Sequence, residues 1–259
     1  WKRWGHGRVD LHKAVVQSCD TYFYDMGFKL GIARMHEYMS QFSLGSPTGI
    51  DLYNESSGIM PSKQWKRAYR NRPWFHGDTI NASIGQGFVL TTPLQLATAT
   101  AITASHGKKV VPSIAGEKQS VERTGITLND ESNWEKMTDA MVAVTGPRGT
   151  ARVMAVDAQY AIAAKSGTAQ VFSVGQDETY NEDELAERML DHALMVSFGP
   201  AEQPAIAVGV LVENGRHGGS TAGPVARQVM DARLLNENGE LEVPPVFEEH
   251  PAPPAEVSP

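Results

Sequence analysis

Lys165-Ser166-Gly167-Thr168-Ala169-Gln170 is the stretch on which the reading of this chain turns. It follows Tyr160-Ala161-Ile162-Ala163-Ala164, a run of small and apolar residues, and an apolar turn of sequence resumes at Val171-Phe172. It therefore reads as the continuation of a strand. A cation, a hydroxyl, a glycine and a second hydroxyl stand in a row on its edge. Lys165 and Ser166 can hold a carboxylate there. Gly167, which has no Cβ, lets another backbone approach closely. Taken alone, a K-[ST]-G tripeptide is equally at home as a surface cation on a strand. Its weight comes from the residues around it.

Strand signals surround it, at residues 158–173, 192–199 and 205–213, the last with Val208, Val210 and Val212 on one face. Between the first two lies Gly175 to Leu190, rich in acid (Asp177, Glu178, Glu182, Asp183, Glu184, Glu187), which reads as a long, mobile hairpin connection near the Lys165 strand. Helical signals occupy the rest. Asp10 caps a helix carrying Leu11, Ala14 and Val15 on one face. Asp20 or Thr21 caps a second, running to about Leu30 and ended by Gly31. Thr92 caps a third, with Pro93 at its first position, continuing to about Ser105. Asp130 to Val144 places Trp134, Met137, Met141 and Val144 at helical spacing, and Pro224 to about Leu234 forms a terminal helix. Residues 45–79 read as loop with short helical pieces, and Ile84-Gly85-Gln86-Gly87 as a tight turn. Antiparallel strands with flanking helices make an α+β domain.

The chain of 259 residues, 41% hydrophobic, can bury one sizeable core. Its longest uncharged apolar run, Ala205 to Val212, is eight residues, well short of the roughly 20 that span a bilayer. Net charge is −7, and the six Glu of residues 236–259, unopposed by Lys or Arg, carry −6 of it. Residues 1–235 are thus near neutral, with no basic field to draw nucleic acid. The local stretch Trp65, Lys66, Arg67, Arg70 and Arg72 reads as a solvated face or a partner contact. The same tail holds six Pro and is expected to be disordered, leaving residues 1–235 as the folded domain. The single cysteine, Cys19, excludes an intrachain disulfide and leaves the redox compartment open. No G-x-S-x-G elbow, H-E-x-x-H or Walker string is present.

Ser18-Cys19-Asp20 stands well upstream of Lys165, at an expected break between two helices, a mount that is rigid on both sides. S-x-x-K, S-D-N and K-T-G form a known signature of serine β-lactamases and penicillin-binding proteins. Here S-C-D and K-S-G occur in that order. Trp4-Gly5-His6-Gly7, Ser18-Cys19-Asp20-Thr21-Tyr22-Phe23-Tyr24, Gly49-Ile50-Asp51-Leu52, Pro73-Trp74, Gly77-Asp78-Thr79, Ile84-Gly85-Gln86-Gly87 and Thr92-Pro93-Leu94-Gln95 surround them. Together they resemble the penicillin-binding protein 2 family, the elongation-specific D,D-transpeptidases of bacterial cell-wall synthesis, from Trp1 to about Leu235.

The resemblance implies a serine β-lactamase/transpeptidase-like fold with a five-stranded antiparallel sheet flanked by helices. It implies that Lys165 and Ser166 orient the substrate's terminal carboxylate. The backbone N–H of Thr168, beside Gly167, would belong to the oxyanion hole. Ser18 would relay a proton without being the nucleophile. Asp20 stands where the wider superfamily more often has Asn; an ionised Asp only accepts hydrogen bonds, so its role is open. A lone His and a lone Cys are more often packing residues than ligands. The resemblance nonetheless implies a structural zinc site with His6, Cys19 and two upstream carboxylates, a normal tetrahedral set. Further implied are stem peptides and β-lactams as ligands, a glycosyltransferase and scaffold proteins as partners, and a periplasmic domain on an inner-membrane anchor.

The family's S-x-x-K nucleophile is expected upstream of Ser18. The only such string here, Ser105-His106-Gly107-Lys108, lies downstream and reads as a helix end with Gly107 as its cap. The chain, starting at Trp1, is therefore expected to be a C-terminal part of the domain, inactive by itself. A β-lactamase and a non-catalytic penicillin-binding scaffold are the alternative readings.

Overall fold

The computed structural model describes residues 2, 4–115, 125–171 and 186–242. Seven α-helices are present among them: α1 (Leu11–Val16), α2 (Asp20–Ser40), α3 (Lys63–Arg70), α4 (His76–Ala82), α5 (Pro93–Ala104), α6 (Ser132–Thr145) and α7 (Gly223–Leu234). Strands β1 (Ala163–Ala169), β2 (His192–Gly199) and β3 (Ile206–Val212) form an antiparallel sheet in the order β1-β2-β3. The architecture is α+β, with three strands among the described residues.

The sheet is buried on both faces. Ala164, Ala193, Met195 and Val208 pack with Ala226, Met230 and Leu234 of α7. Ala163 and Phe198, directly opposite in the β1–β2 register, pack with Met141 of α6. α5 lies against β3, while α6 lies against both β1 and α1. That shared contact matters for function, because α6 is the platform that sets α1 beside β1. A second core holds the helical part together, built from Phe42, Leu44, Met60, Ile102, Ile126 and Trp134.

Thr92-Pro93-Leu94-Gln95 shows how a short string organises this part. Thr92 Oγ1 accepts the Gln95 N–H at 3.1 Å and Gln95 Oε1 accepts the Thr92 N–H at 3.0 Å, a reciprocal cap on α5. The two N–H groups of the Gln95 amide, fully buried, are shared among the carbonyls of Ser43, Ser46 and Ser57. One side chain thus caps a helix and clamps the loops of residues 43–57.

Several expectations need correction. The first strand begins at Ala163, because residues 158–162 are held otherwise: Ala158 N–H closes a turn on the Ala155 carbonyl and Tyr160 OH donates to Asp231 at 2.7 Å. Gly31 does interrupt α2, with φ 74° and ψ 154°, but the helix resumes to Ser40 because Ile32 is buried and Met35 packs against the second core. At the end of α5 it is His106, φ +54°, that takes the left-handed closing position, with Gly107 one residue further. Ordered chain also continues past residue 235: Leu235 bridges Leu241 and the Glu242 N–H donates to the Leu234 carbonyl. Most of the acidic connection, residues 172–185, and the tail from 243 lie outside the described residues. No helix among the described residues is long and apolar enough to cross a membrane.

Candidate active site

Asp10 starts α1 by accepting the Lys13 N–H at 2.8 Å. The helix closes with a paired motif, Cys19 N–H to Ala14 carbonyl at 2.9 Å and Ser18 N–H to Val15 carbonyl at 3.3 Å. That closure puts Ser18 in the left-handed region, φ +52°, where a side chain with a Cβ is uncommon. Cys19 is then the N-cap of α2, and Asp20 opens its first turn. Two helices therefore meet over Ser18 and Cys19, and the hydroxyl of Ser18 is fixed by backbone geometry on both sides.

Lys165 reaches this junction from β1. Its Nζ donates to Ser18 Oγ at 2.7 Å, across 147 residues of sequence, and to the carbonyl of Ser166 at 2.7 Å. Burial pushes its ammonium down from 10.5 to about 8, with the charge of Asp20 acting in the opposite direction. An ammonium of that acidity is charged at neutral pH and can pair with a carboxylate. Ser166 Oγ and Thr150 Oγ1 are 2.7 Å apart, and the Thr168 carbonyl accepts from Gln86 Nε2 at 2.8 Å. The structure thus brings Ser18, Asp20, Lys165, Ser166 and Thr168 to one place.

The close backbone approach expected at Gly167 exists, but another residue demands it. A Cβ on Gly167 would stand 3.3 Å from Leu194 Cβ. A Cβ on Gly218 would fall 2.5 Å from the Gly167 carbonyl oxygen and 2.3 Å from that of Leu194. Of the two, Gly218 is therefore the position that tolerates no side chain. Gly218, Thr150 and Gln86 escaped the sequence reading as site neighbours. Gln86 had one signal, a single side chain standing between two glycines.

Cys19 is buried at its N-cap position. His6 is half-buried, and Lys13 Nζ donates to its carbonyl at 2.8 Å. Burial lowers the His6 imidazole, Lys2 and Lys13 lower it further, and Asp20 opposes them. A neutral imidazole and a thiol at a helix start suit zinc chemically. No group of three or more His, Cys, Asp or Glu that could hold a metal ion occurs among the described residues. The S-x-x-K string at Ser105 is spent on helix closure: its Oγ donates to the Ala101 carbonyl at 2.8 Å.

Comparison with known proteins agrees with this geometry. Residues 1–231 match the family model described as the penicillin binding protein transpeptidase domain. The peptidoglycan D,D-transpeptidase MrdA of Acinetobacter baumannii is 48% identical over 244 residues, covering 91% of this chain and 36% of that protein. MrdA of Escherichia coli K12 is 40% identical over 248 residues, covering 92% and 39%. The chain thus spans a little over a third of the length of these relatives. Among solved structures, Pseudomonas aeruginosa PBP2 in complex with WCK 5153 superposes with a TM-score of 0.83 at 43% identity, covering 93% of this chain and 51% of that one. PBP2 of Helicobacter pylori in complex with MreC gives 0.79 at 31% identity, covering 88% and 40%. The K-S-G strand, the S-C-D helix junction, the domain match and the identity to these relatives converge, and the chain belongs to the penicillin-binding protein transpeptidase domain family.

Proposed function

We propose that this chain forms the C-terminal part of the catalytic domain of a peptidoglycan D,D-transpeptidase that cross-links stem peptides during cell elongation. The observation that carries the reading is the Lys165–Ser18 hydrogen bond, which joins the two motif elements into one site. The nucleophile belongs to an S-x-x-K element outside residues 1–259. Its serine oxygen attacks the carbonyl of the D-Ala-D-Ala bond. The C–N bond breaks and D-Ala leaves as the amine, taking a proton relayed through Ser18. An amine of a second stem peptide then attacks the acyl-enzyme, forming the cross-link and returning the serine. Lys165 and the hydroxyl of Ser166 hold the terminal carboxylate, and the Thr168 N–H donates to the developing oxyanion. Removal of one such donor typically lowers the rate about 100- to 1000-fold. β-Lactams carry the same carboxylate and acyl carbonyl and are captured by the same groups.

The finer architecture follows the same reading: a five-stranded sheet whose further strands add beyond β3, leaving the edge of β1 to substrate. His6 and Cys19 would hold a structural zinc ion together with two carboxylates from outside this chain; the ion would brace the Ser18–Asp20 junction and supply nothing to acyl transfer. Elemental analysis of the complete gene product, purified without chelator, should find zinc, and Cys19→Ser should release it. A metal-free wild-type protein refutes this site. A glycosyltransferase and a scaffold protein are the proposed partners, with the domain facing the wall from an inner-membrane anchor.

The deciding experiment is intact mass spectrometry of the complete gene product after treatment with penicillin. A persistent one-to-one adduct on an S-x-x-K serine is expected, and none on residues 1–259 alone. Rapid loss of the adduct with accumulating hydrolysed drug would instead indicate a β-lactamase, and no adduct on a folded protein would indicate a scaffold.

A further inference from the structure

Gln86 sits in the turn after α4 and reaches the site from a different part of the fold. The Gln86 N–H donates to the Asn81 carbonyl at 3.0 Å and the Gly85 N–H to that of Ala82 at 3.1 Å. Its neighbours Gly85 and Gly87 have φ +74° and +72°. A Cβ on Gly85 would meet nothing within 4 Å, so the backbone conformation and not crowding selects glycine there. Between these two bare positions a single side chain projects. Its Nε2 donates to the Thr168 carbonyl at 2.8 Å, across 82 residues of sequence.

β1 is the end strand of the described sheet. In an antiparallel pair, alternate residues turn both backbone groups toward the partner or both away from it. The carbonyls of Ser166 and Thr168 accept from side chains, Lys165 Nζ and Gln86 Nε2, and so mark the residues that face the open edge. The N–H of Thr168 faces the same way. An extended ligand laid along this edge would pair with both groups, offering a backbone N–H to the Thr168 carbonyl. The carboxamide of Gln86 carries the same chemical group, an amide N–H, on the same acceptor. It also blunts an edge that would otherwise be open to unwanted strand pairing.

We infer that Gln86 is a specificity-determining residue: its carboxamide stands in for the ligand's backbone amide on the Thr168 carbonyl and is displaced only by ligands that bring an amide N–H of their own. A ligand with such an N–H competes with Gln86 for the acceptor, and a ligand without one leaves the Gln86 bond in place. This inference rests on the acyl-transfer reading above, and the experiment separates the two.

The test measures second-order acylation rates of the complete gene product with two probes: benzylpenicillin, which carries an amide N–H on the lactam ring, and a carbapenem, which carries a hydroxyethyl group there. Gln86→Ala removes the stand-in amide, and Gln86→Met removes it while keeping the length of the side chain, so one variant serves if the other fails to fold. Both variants should react faster with benzylpenicillin by about 2- to 10-fold, the net worth of one hydrogen bond. Their carbapenem rates should change by less than about twofold. A fall in the benzylpenicillin rate, or an equal change with both probes, overturns the inference and makes Gln86 a structural tether. Wild-type protein that neither probe acylates overturns the acyl-transfer reading and this inference with it.

Discussion

Lys165 and Ser18 carry the sharpest predictions at the scale of single residues. With its ammonium near 8, Lys165 is charged below that pH and neutral above it. Carboxylate capture should therefore weaken as pH climbs through about 8, and Lys165→Met should remove that fall and lower acylation by roughly 10- to 100-fold, the worth of a hydrogen bond to a charged group. The acylation rate of the complete gene product against pH reads both. The stability effect has a definite sign. The folded value lies below the ordinary 10.5, so between about 8 and 10.5 the unfolded chain binds more protons, and this lysine makes stability rise with pH across that window. Ser18 tests backbone strain separately from chemistry. Ser18→Ala and Ser18→Gly both lose the bond to Lys165, but glycine accepts φ +52° without strain. The glycine variant should be about 1 kcal/mol more stable than the alanine variant by chemical denaturation. Equal stabilities would rule out strain at this junction. Both residues were legible in the sequence because hydroxyl and cation sit in short, ordered strings. Thr150 was not: its partner lies 16 residues away on a different element, and threonine does not advertise a role.

At the scale of elements, periodicity and caps placed most helices within a residue or two, since those signals are local. The interrupted α2 shows where locality ends. A glycine after an apolar helix reads as a stop, and Gly31 does adopt a conformation, φ 74° and ψ 154°, that is essentially reserved for glycine. Burial decides the path of the chain beyond that glycine, because Ile32 is 2% exposed and the second segment lies on the helical core. Gly31→Ala should destabilise the fold by about 1–3 kcal/mol, seen as a lower denaturation midpoint. Since a Cβ there would meet nothing within 4 Å, an unchanged midpoint would mean that the break relaxes into a continuous helix. The same division holds at β1, whose apolar approach looks like strand from residue 158 and is not, because Tyr160 turns to Asp231 on α7.

At the scale of the whole molecule, two cores must be held in register for one site to exist. Gln95 does this in the helical part, capping α5 and clamping three loop carbonyls with its fully buried amide. Gln95→Ala removes a cap worth about 1 kcal/mol and the bonds to three loop carbonyls, each worth about 0.5–1 kcal/mol net, so a loss of about 2–4 kcal/mol is expected in denaturant titrations. A loss below about 1 kcal/mol would show that the loops find other donors. By itself, the sequence determined the α+β class, the three strands around the K-S-G string, the helix starts and the family, because each is written in short-range patterns of polarity, capping and turn residues. Tertiary structure alone decided that α6 sets Ser18 against Lys165, that Gly218 rather than Gly167 is where the β1 backbone admits no side chain, and that Gln86 reaches the Thr168 carbonyl. Those contacts join residues tens to more than a hundred positions apart, and no local pattern encodes such a distance; only the packing of the two cores brings them within a hydrogen bond.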